Sequence, residues 1–103
     1  MAFNLLYVTC SSKAESKKIA RHLLRKRLVA CANIFPIESV YWWKGKIGSA
    51  KENVLVLKTS KKNAARAGKE IRKIHSYTVP CIIKFNVSAN RDYEKWLKGE
   101  VHG

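Results

Sequence analysis

Acidic residues are scarce in this sequence, in which 7 Asp and Glu stand against 21 Lys and Arg over 103 residues, for a formal net charge of +14. The few carboxylates are scattered, and no Ser-His-Asp set, nucleophile elbow or phosphate-cradling glycine loop accompanies them, so we expect no catalytic activity. The excess of cations favours attraction to polyanions. The alternative is that Lys and Arg only solvate the outer faces of two helices.

Cysteine is also rare, and long apolar runs are missing. Cys10, Cys31 and Cys81 are an odd number at wide spacings, unlike the disulfide framework of a small secreted domain, and no C-x-x-C or H-x-x-x-H metal motif occurs. No run approaches the ~18 apolar residues of a membrane span. Residues 1–10 lack the leading charge and the apolar length of a secretory signal, so we expect a cytoplasmic protein with reduced thiols.

The patterns that are present organise the chain as one domain over residues 1–103. The predicted elements are strands at 3–8, 28–43, 52–59 and 81–87, helices at 13–27 and 61–75, and a short last helix after Asn90. This β-α-β-β-α-β order predicts an α+β, ferredoxin-like fold. The first and third strands are apolar on both faces, so we expect them at the centre of the sheet and the other two at its edges.

The second predicted strand is too long for its own domain. Extended at ~3.3 Å per residue, residues 28–43 reach about 50 Å, whereas a 100-residue domain has a radius of gyration of about 13 Å. An overlong edge strand offers unpaired backbone groups to another chain, so the pattern predicts an oligomer. Tyr41, Trp42 and Trp43 add aromatic area at the tip of this arm and indicate an interface, the alternative being a locally packed hairpin.

Strand directions bring two cysteines and a histidine to one edge of the predicted sheet. The first strand runs antiparallel to the fourth, so Cys10 lies near Cys81, with His75 just upstream, while Cys31 is expected at the far end. Two thiolates and an imidazole form a soft ligand set suited to copper(I) or zinc. The alternative is ordinary packing of at least one of them, because free cysteine is often buried as a small apolar residue. The other two histidines, on a basic helix and in the terminal tail, are not expected to bind metal.

Six segments spread over the chain match the pattern of one protein family in order and spacing. They are Val8–Cys10, Arg27–Ile34, Tyr41–Ile47, Lys58–Thr59, Ile74–Pro80 and Asp92–Leu97. Together they resemble the CutA family, and the resemblance implies a homotrimer, similar to the PII signalling proteins, that is tied to tolerance of copper or other divalent metal ions. It also implies that β-arms and terminal helices pack against neighbouring subunits. The trimer-interface residues assigned in this way are Tyr41, Trp42, Trp43 and Trp96.

Two positions depart from that family's pattern. Ser76 stands where proline commonly follows the histidine, and Cys81 stands where many members have glutamate, so a carboxylate ligand does not carry over to this position. A second interpretation is a basic ferredoxin-like module that binds nucleic acid or other polyanions. Against it, the third strand runs Val54–Lys58 without the glycine-aromatic pattern whose rings stack on bases, so the charge predicts only unspecific attraction to phosphates.

Overall fold

The computed structural model describes residues 2–102 and arranges them as strands and helices in an alternating order. The elements are β1 (Phe3–Cys10), α1 (Lys13–Arg25), β2 (Cys31–Trp43), β3 (Lys46–Thr59), α2 (Lys61–Ile74), β4 (Ile82–Val87) and α3 (Arg91–Glu100). This is the β-α-β-β-α-β order with a terminal helix, so the predicted α+β, ferredoxin-like fold is confirmed. No helix within the described residues is long and apolar enough to cross a membrane.

The sheet has the strand order β2-β3-β1-β4, and every neighbouring pair is antiparallel. β1 and β3 are central, as their continuous apolar runs predicted, and β2 and β4 are edges. In the register, Leu6 of β1 lies between Leu57 of β3 and Lys84 of β4, and Val8 lies between Leu55 and Ile82. From Asn4 to Val8, the residues of β1 therefore pair with both β3 and β4, which suits a strand with few polar side chains.

The helices α1 and α2 cover one face of the sheet and enclose the core with it. The core residues are Leu6, Val8, Cys10, Ile19, Ala20, Leu23, Leu28, Val29, Leu55, Leu57, Ala64, Ala67 and Ile71. Each fully buried Leu or Ile side chain contributes about 1.5–3 kcal/mol relative to an exposed one. This apolar contact, rather than helix propensity, holds the two strongly basic helices on the sheet.

The opposite surface, which we call the open sheet face, is only partly covered. Phe35, Ile83 and Phe85 lie on it and are 43%, 43% and 47% exposed. At one end α3 covers it, where the Tyr93 ring lies 6.4 Å from the Phe3 ring. The chain by itself thus leaves a row of large apolar side chains in contact with water.

The ends of α1 and β2 differ slightly from the sequence prediction. α1 ends at Arg25 rather than at residue 27, because Arg27 adopts a left-handed backbone (φ 57°) and the Leu28 amide bonds to the Leu23 carbonyl at 3.1 Å. β2 accordingly begins at Cys31 and not at residue 28. Leu28 and Val29 lie in the connection, where they are buried and complete the core.

The hairpin of β2 and β3 is longer than the sequence indicated. β3 begins at Lys46 instead of residue 52, and residues 46–51 pair with residues 38–43. The sequence of residues 46–51 is too small and polar to show a strand pattern, but the ladder with β2 supplies its hydrogen bonds. Lys44 and Gly45 both have positive φ, 51° and 77°, which is the backbone of a type I′ turn and fits the twist of the two strands.

The tip of this hairpin arm stays in solvent. The arm stretches the molecule to 45 Å along its longest axis, against 24 and 20 Å along the others. Tyr41, Trp42 and Trp43 are 41%, 75% and 64% exposed, so Trp42 and Trp43 leave most of their surface in contact with water, and Tyr41 is covered more fully. The arm tip therefore keeps a large aromatic area exposed.

A single carboxylate ties α1 to α2. Glu70 lies 2.8 Å from His22 Nε2, 3.1 Å from Lys26 Nζ and 3.5 Å from Lys73 Nζ, and its side chain is only 14% exposed. Hydrogen bonds from His22 and Lys26 lower the pKa of the Glu70 carboxyl to about 2. Because this pKa is lower in the folded than in the unfolded chain, ionised Glu70 stabilises the fold above about pH 4.5, and the contribution is lost as the pH falls toward 2.

We expect Glu70→Gln to lower the melting temperature at pH 6 to 7 and to lose most of this effect by about pH 2 to 3, where the wild-type carboxyl also becomes protonated. Thermal unfolding followed by circular dichroism across this pH range measures the difference. Glu38→Gln, on the exposed hairpin, makes the same change of charge and should alter stability by less than about 0.5 kcal/mol. A pH-independent difference for Glu70→Gln would contradict the assignment.

Candidate metal centre

Three potential ligands converge where β1 ends. Cys10 is the last residue of β1, Glu15 lies in the first turn of α1, and His75 directly follows α2. One ligand atom from each lies within 4.8 Å of the other two. Within residues 2–102, these are the three His, Cys, Asp or Glu side chains whose ligand atoms lie this close together. The structure thus unites two of the predicted residues, Cys10 and His75, with a carboxylate that was not predicted as a ligand.

The histidine is held in one orientation by the backbone. His75 Nε2 lies 2.8 Å from the Thr9 carbonyl oxygen, and the Tyr77 amide lies 3.0 Å from Nδ1. Since a carbonyl only accepts and an amide N–H only donates, Nε2 carries the proton and Nδ1 carries the lone pair. Nδ1 lies 3.9 Å from Glu15 Oε2. A metal-binding imidazole commonly donates its second N–H to a carbonyl in this way, which leaves its lone pair aimed at the ion.

The carboxylate is held at the start of α1. Glu15 Oε1 accepts from the Ser11 amide and hydroxyl at 2.9 Å each, and Oε2 accepts from the Ser76 amide at 2.8 Å. Burial by itself would raise the pKa of Glu15, but the hydrogen bonds from Ser76 and Ser11 outweigh it and lower the pKa to about 2. Ser12 caps the helix, with its hydroxyl accepting from the Glu15 amide at 3.1 Å. Glu15 is therefore an anion at any physiological pH.

Cys10 is the most deeply buried member of the group. Its side chain is 0% exposed and packs in the core, so desolvation raises the pKa of its thiol, while a hydrogen bond with Ser16 acts in the opposite direction. In the metal-free protein this thiol stays protonated at neutral pH. A thiol that coordinates a metal ion loses its proton, so binding here releases protons.

The other predicted ligand, Cys81, lies outside the group. Val8 pairs with Ile82, so Cys81 stands beside Thr9, and side chains of successive residues point to opposite faces of a sheet. Cys10 therefore faces the helices, whereas Cys81 faces the cavity that Thr9 also lines. Sequence reasoning placed Cys81 at the correct edge, and only the pleat of the sheet separates it from Cys10. Cys31 lies at the far end of the sheet, opposite Lys58, as predicted.

The three donor atoms suit a borderline metal ion. Zinc–ligand distances of about 2.0–2.3 Å place two ligand atoms no more than about 4.6 Å apart, so the present group would close around an ion with small side-chain movements. A sulfur, an imidazole nitrogen and a carboxylate oxygen fit zinc or a copper ion better than calcium or magnesium. Glu15 could have been identified from sequence, because a helix beginning three residues after Cys10 must place its first-turn carboxylate near the end of β1.

The segment after α2 connects this group to a cavity of about 720 Å³. The cavity lies between the hairpin arm and residues 76–81, and its lining residues are Thr9, Tyr41, Trp43, Ala50, Glu52, Ser76, Tyr77, Thr78, Val79 and Cys81. The Tyr77 ring lies tilted against the His75 ring with their centres 4.8 Å apart, and its hydroxyl donates to Glu52 Oε2 at 2.6 Å. Burial and this contact raise the pKa of the Tyr77 hydroxyl. Tyr77 therefore links the ligand group to the arm.

The remaining histidines have other contacts. His22 is bound to Glu70 between the helices, and the His102 amide bonds to the Arg27 carbonyl at 2.9 Å. The His102 carbonyl accepts from the Asn63 side chain at 2.5 Å, so His102 is attached to α2.

Comparison with known proteins points to one family for the whole chain. The family model of the CutA1 divalent ion tolerance protein matches residues 4–100. The chain belongs to the CutA1 family. The divalent-cation tolerance protein CutA of Archaeoglobus fulgidus is 40% identical over 99 residues, which span 95% of this chain and 97% of that protein.

Solved structures of CutA1 proteins share the whole fold. The structure described as the periplasmic divalent cation tolerance protein CutA of Archaeoglobus fulgidus superimposes with a TM-score of 0.94 at 39% identity, covering 99% of this chain and 100% of that one. CutA1 of Oryza sativa gives a TM-score of 0.95 at 34% identity, with 99% and 95% covered. The resemblance seen in the six sequence segments is thereby confirmed for the family and for its role in divalent-cation tolerance.

We expect Tyr77→Phe to destabilise the fold by about 1–2 kcal/mol, because it leaves the Glu52 carboxylate without its hydroxyl donor. Urea unfolding measures the loss, and Tyr41→Phe on the exposed arm is the control, for which a change below about 0.5 kcal/mol is expected. In a double-mutant cycle, Glu52→Gln should remove most of the effect of Tyr77→Phe. Full additivity would mean that the two side chains do not interact.

Proposed function

We propose that this CutA1 protein binds a copper-group or divalent metal ion directly, through Cys10, Glu15 and His75, and that it has no catalytic activity of its own. The convergence of a thiol, a carboxylate and an oriented imidazole at the end of β1 is the observation that carries the proposal. The ion would supply positive charge that holds the three groups together. Such a role suits a family named for divalent-cation tolerance.

Binding requires this chain to exchange internal hydrogen bonds for ligand bonds. His75 Nδ1 must release the Tyr77 amide, and Glu15 must turn at least one oxygen away from Ser76 or Ser11. The bond from His75 Nε2 to Thr9 can persist and keep the ring in place. The three ligand side chains are therefore already close together, but His75 and Glu15 are engaged in internal hydrogen bonds. Metal affinity then depends on how easily the segment after α2 gives up its hydrogen bonds to these two side chains.

The same protein is proposed to work as a homotrimer. The open sheet face and the aromatic arm tip are apolar surfaces of the kind that interfaces bury, and Trp96 of α3 is a further exposed aromatic side chain at 45%. The number of subunits rests on the family resemblance. Tyr41, Trp42, Trp43 and Trp96 are the proposed interface residues.

The cytoplasm is the proposed location. All three cysteines are free thiols, and none is placed in a disulfide, which suits a reducing compartment. One solved relative is described as periplasmic. Cell fractionation with a tagged full chain decides between the two compartments, and recovery with the periplasmic fraction would overturn this part of the proposal.

We expect Cys10→Ser, Glu15→Gln and His75→Asn each to weaken zinc or copper(I) binding by on the order of tenfold or more, because each removes a ligand. Calorimetric titration of the wild type should also show weaker binding at lower pH, since the Cys10 thiol must lose its proton. Cys81→Ser is the matched control and should change affinity by less than about threefold. Unchanged affinity in a folded Cys10→Ser variant would refute the site, and a large loss in Cys81→Ser would restore the cysteine pair as ligands.

We expect light scattering to report a mass near three times the 11.8 kDa of the chain. Ile83→Glu and Phe85→Glu introduce a charge into the open sheet face, and their mass should fall toward that of one chain because a buried unpaired charge opposes association. Leu24→Glu, on the helix side and 36% exposed, is the control that should leave the mass unchanged. A wild-type protein at the mass of one chain would refute the trimer without affecting the metal site.

A further inference from the structure

The positive charge of this protein is concentrated on its two long helices. Residues 13–27 and 61–75 contain 13 of the 21 Lys and Arg but only 2 of the 7 acids. Those two acids, Glu15 and Glu70, are both engaged in internal contacts, one with Ser11 and Ser76 and the other between the helices. The outward surface of the helix layer therefore presents an excess of cations, and at its edge Arg27 pairs with Glu100 of α3 at 2.8 Å.

The geometry of the helices defines a face. The buried stripes of α1 and α2 contact the sheet, and at 100° per residue the opposite side of each helix carries exposed cations at spacings of three to seven residues. We call this the basic helix face, and its central residues are Lys18, Arg21, Arg25, Lys62, Lys69 and Arg72. Between the helices lies a groove of about 430 Å³ with further cations from both of them.

The basic helix face lacks the apolar side chains of membrane-binding helices and the aromatic rings of surfaces that bind single-stranded nucleic acid. Among the exposed large apolar side chains of the described residues, Leu24 alone lies on these two helices. An amphipathic helix that enters a membrane surface needs a row of such side chains. α1 and α2 contain no Phe, Tyr or Trp, and the ring of His22 is bound to Glu70 between the helices, so they offer no free aromatic ring on which an unpaired base could stack. What the face can recognise is phosphate charge alone.

We propose that the basic helix face binds the phosphate backbone of duplex nucleic acid without sequence preference. α1 has 13 residues and is about 20 Å long, a length that runs beside roughly six base pairs with two phosphates each. A rigid array of cations on two neighbouring helices matches a rigid duplex, which holds its phosphates in fixed rows. The proposal does not rest on the metal site.

The position of the basic helix face also leaves it accessible when the open sheet face is covered. It lies on the side of the sheet opposite the open sheet face. Association through the open sheet face leaves the basic helices outside, so several such faces would be available in one assembly. Binding through separate faces on one assembly raises the apparent affinity for a long duplex over that for a short one.

Fluorescence anisotropy with a labelled duplex of about 24 base pairs, across a range of salt concentrations, tests the proposal. The double variant Arg21→Glu, Lys69→Glu should bind at least tenfold more weakly at low salt, and the uncharged pair Arg21→Gln, Lys69→Gln should lower the salt slope by about 2. Lys46→Glu, Lys51→Glu on the hairpin arm makes the same change of net charge and should lose less than about threefold. Duplex binding by the wild type should be the same with and without a metal chelator, which separates this proposal from the metal site.

Equal losses in the helix and hairpin variants would show that total charge, not this face, drives binding, and would overturn the proposal. So would a preference above about tenfold among duplex sequences at equal salt, since phosphates carry no sequence information. Phosphatidylserine vesicles are the competing probe. Binding to vesicles with no measurable binding to the duplex would assign the face to membranes instead.

Discussion

The placement of β1 between β3 and β4 is the constraint on which the rest of this structure depends. A strand flanked on both sides can bury apolar side chains on its two faces, and β1 uses one face for the helix layer and the other for the open sheet face. Its last residue, Cys10, stands where the chain turns into α1 and where the segment after α2 returns to begin β4. The ligand group is therefore a product of topology, because three separate parts of the chain must meet at that point.

The same constraint explains the asymmetry of the surface. The apolar stripes of α1 and α2 are buried against the sheet, so the other positions of the two helices can carry charge. Glu70 offsets part of that charge at the line where the two helices approach each other. The other side of the sheet has no such cover beyond α3, and the arm extends past it. One side of the molecule is thus suited to anions and the other to apolar association.

Particular residues show how far sequence reasoning reached. The element order, the central position of β1 and β3, and the approach of His75 to Cys10 follow from strand patterns and the rules of the fold, and the structure agrees. The start of β3 was missed by six residues, because residues 46–51 have no apolar alternation and become a strand only by pairing with β2. α1 ends earlier than predicted because Arg27 has a positive φ, which no local sequence pattern indicates for an arginine.

The sequence by itself determined the fold, the family and the excess of positive charge, since these depend on periodicity, on short ordered motifs and on composition. Only the tertiary structure decided which side chains share a site. Cys81 lies at the predicted edge but faces away from Cys10, because neighbouring positions of a strand alternate between the two faces. The sequence places Glu15 near the end of β1, but its contacts with the segment after α2 exist only because Ser76 and His75 are folded back against it. The contact of Ser76 with Glu15 depends on the path of the segment after α2, which residue patterns do not encode.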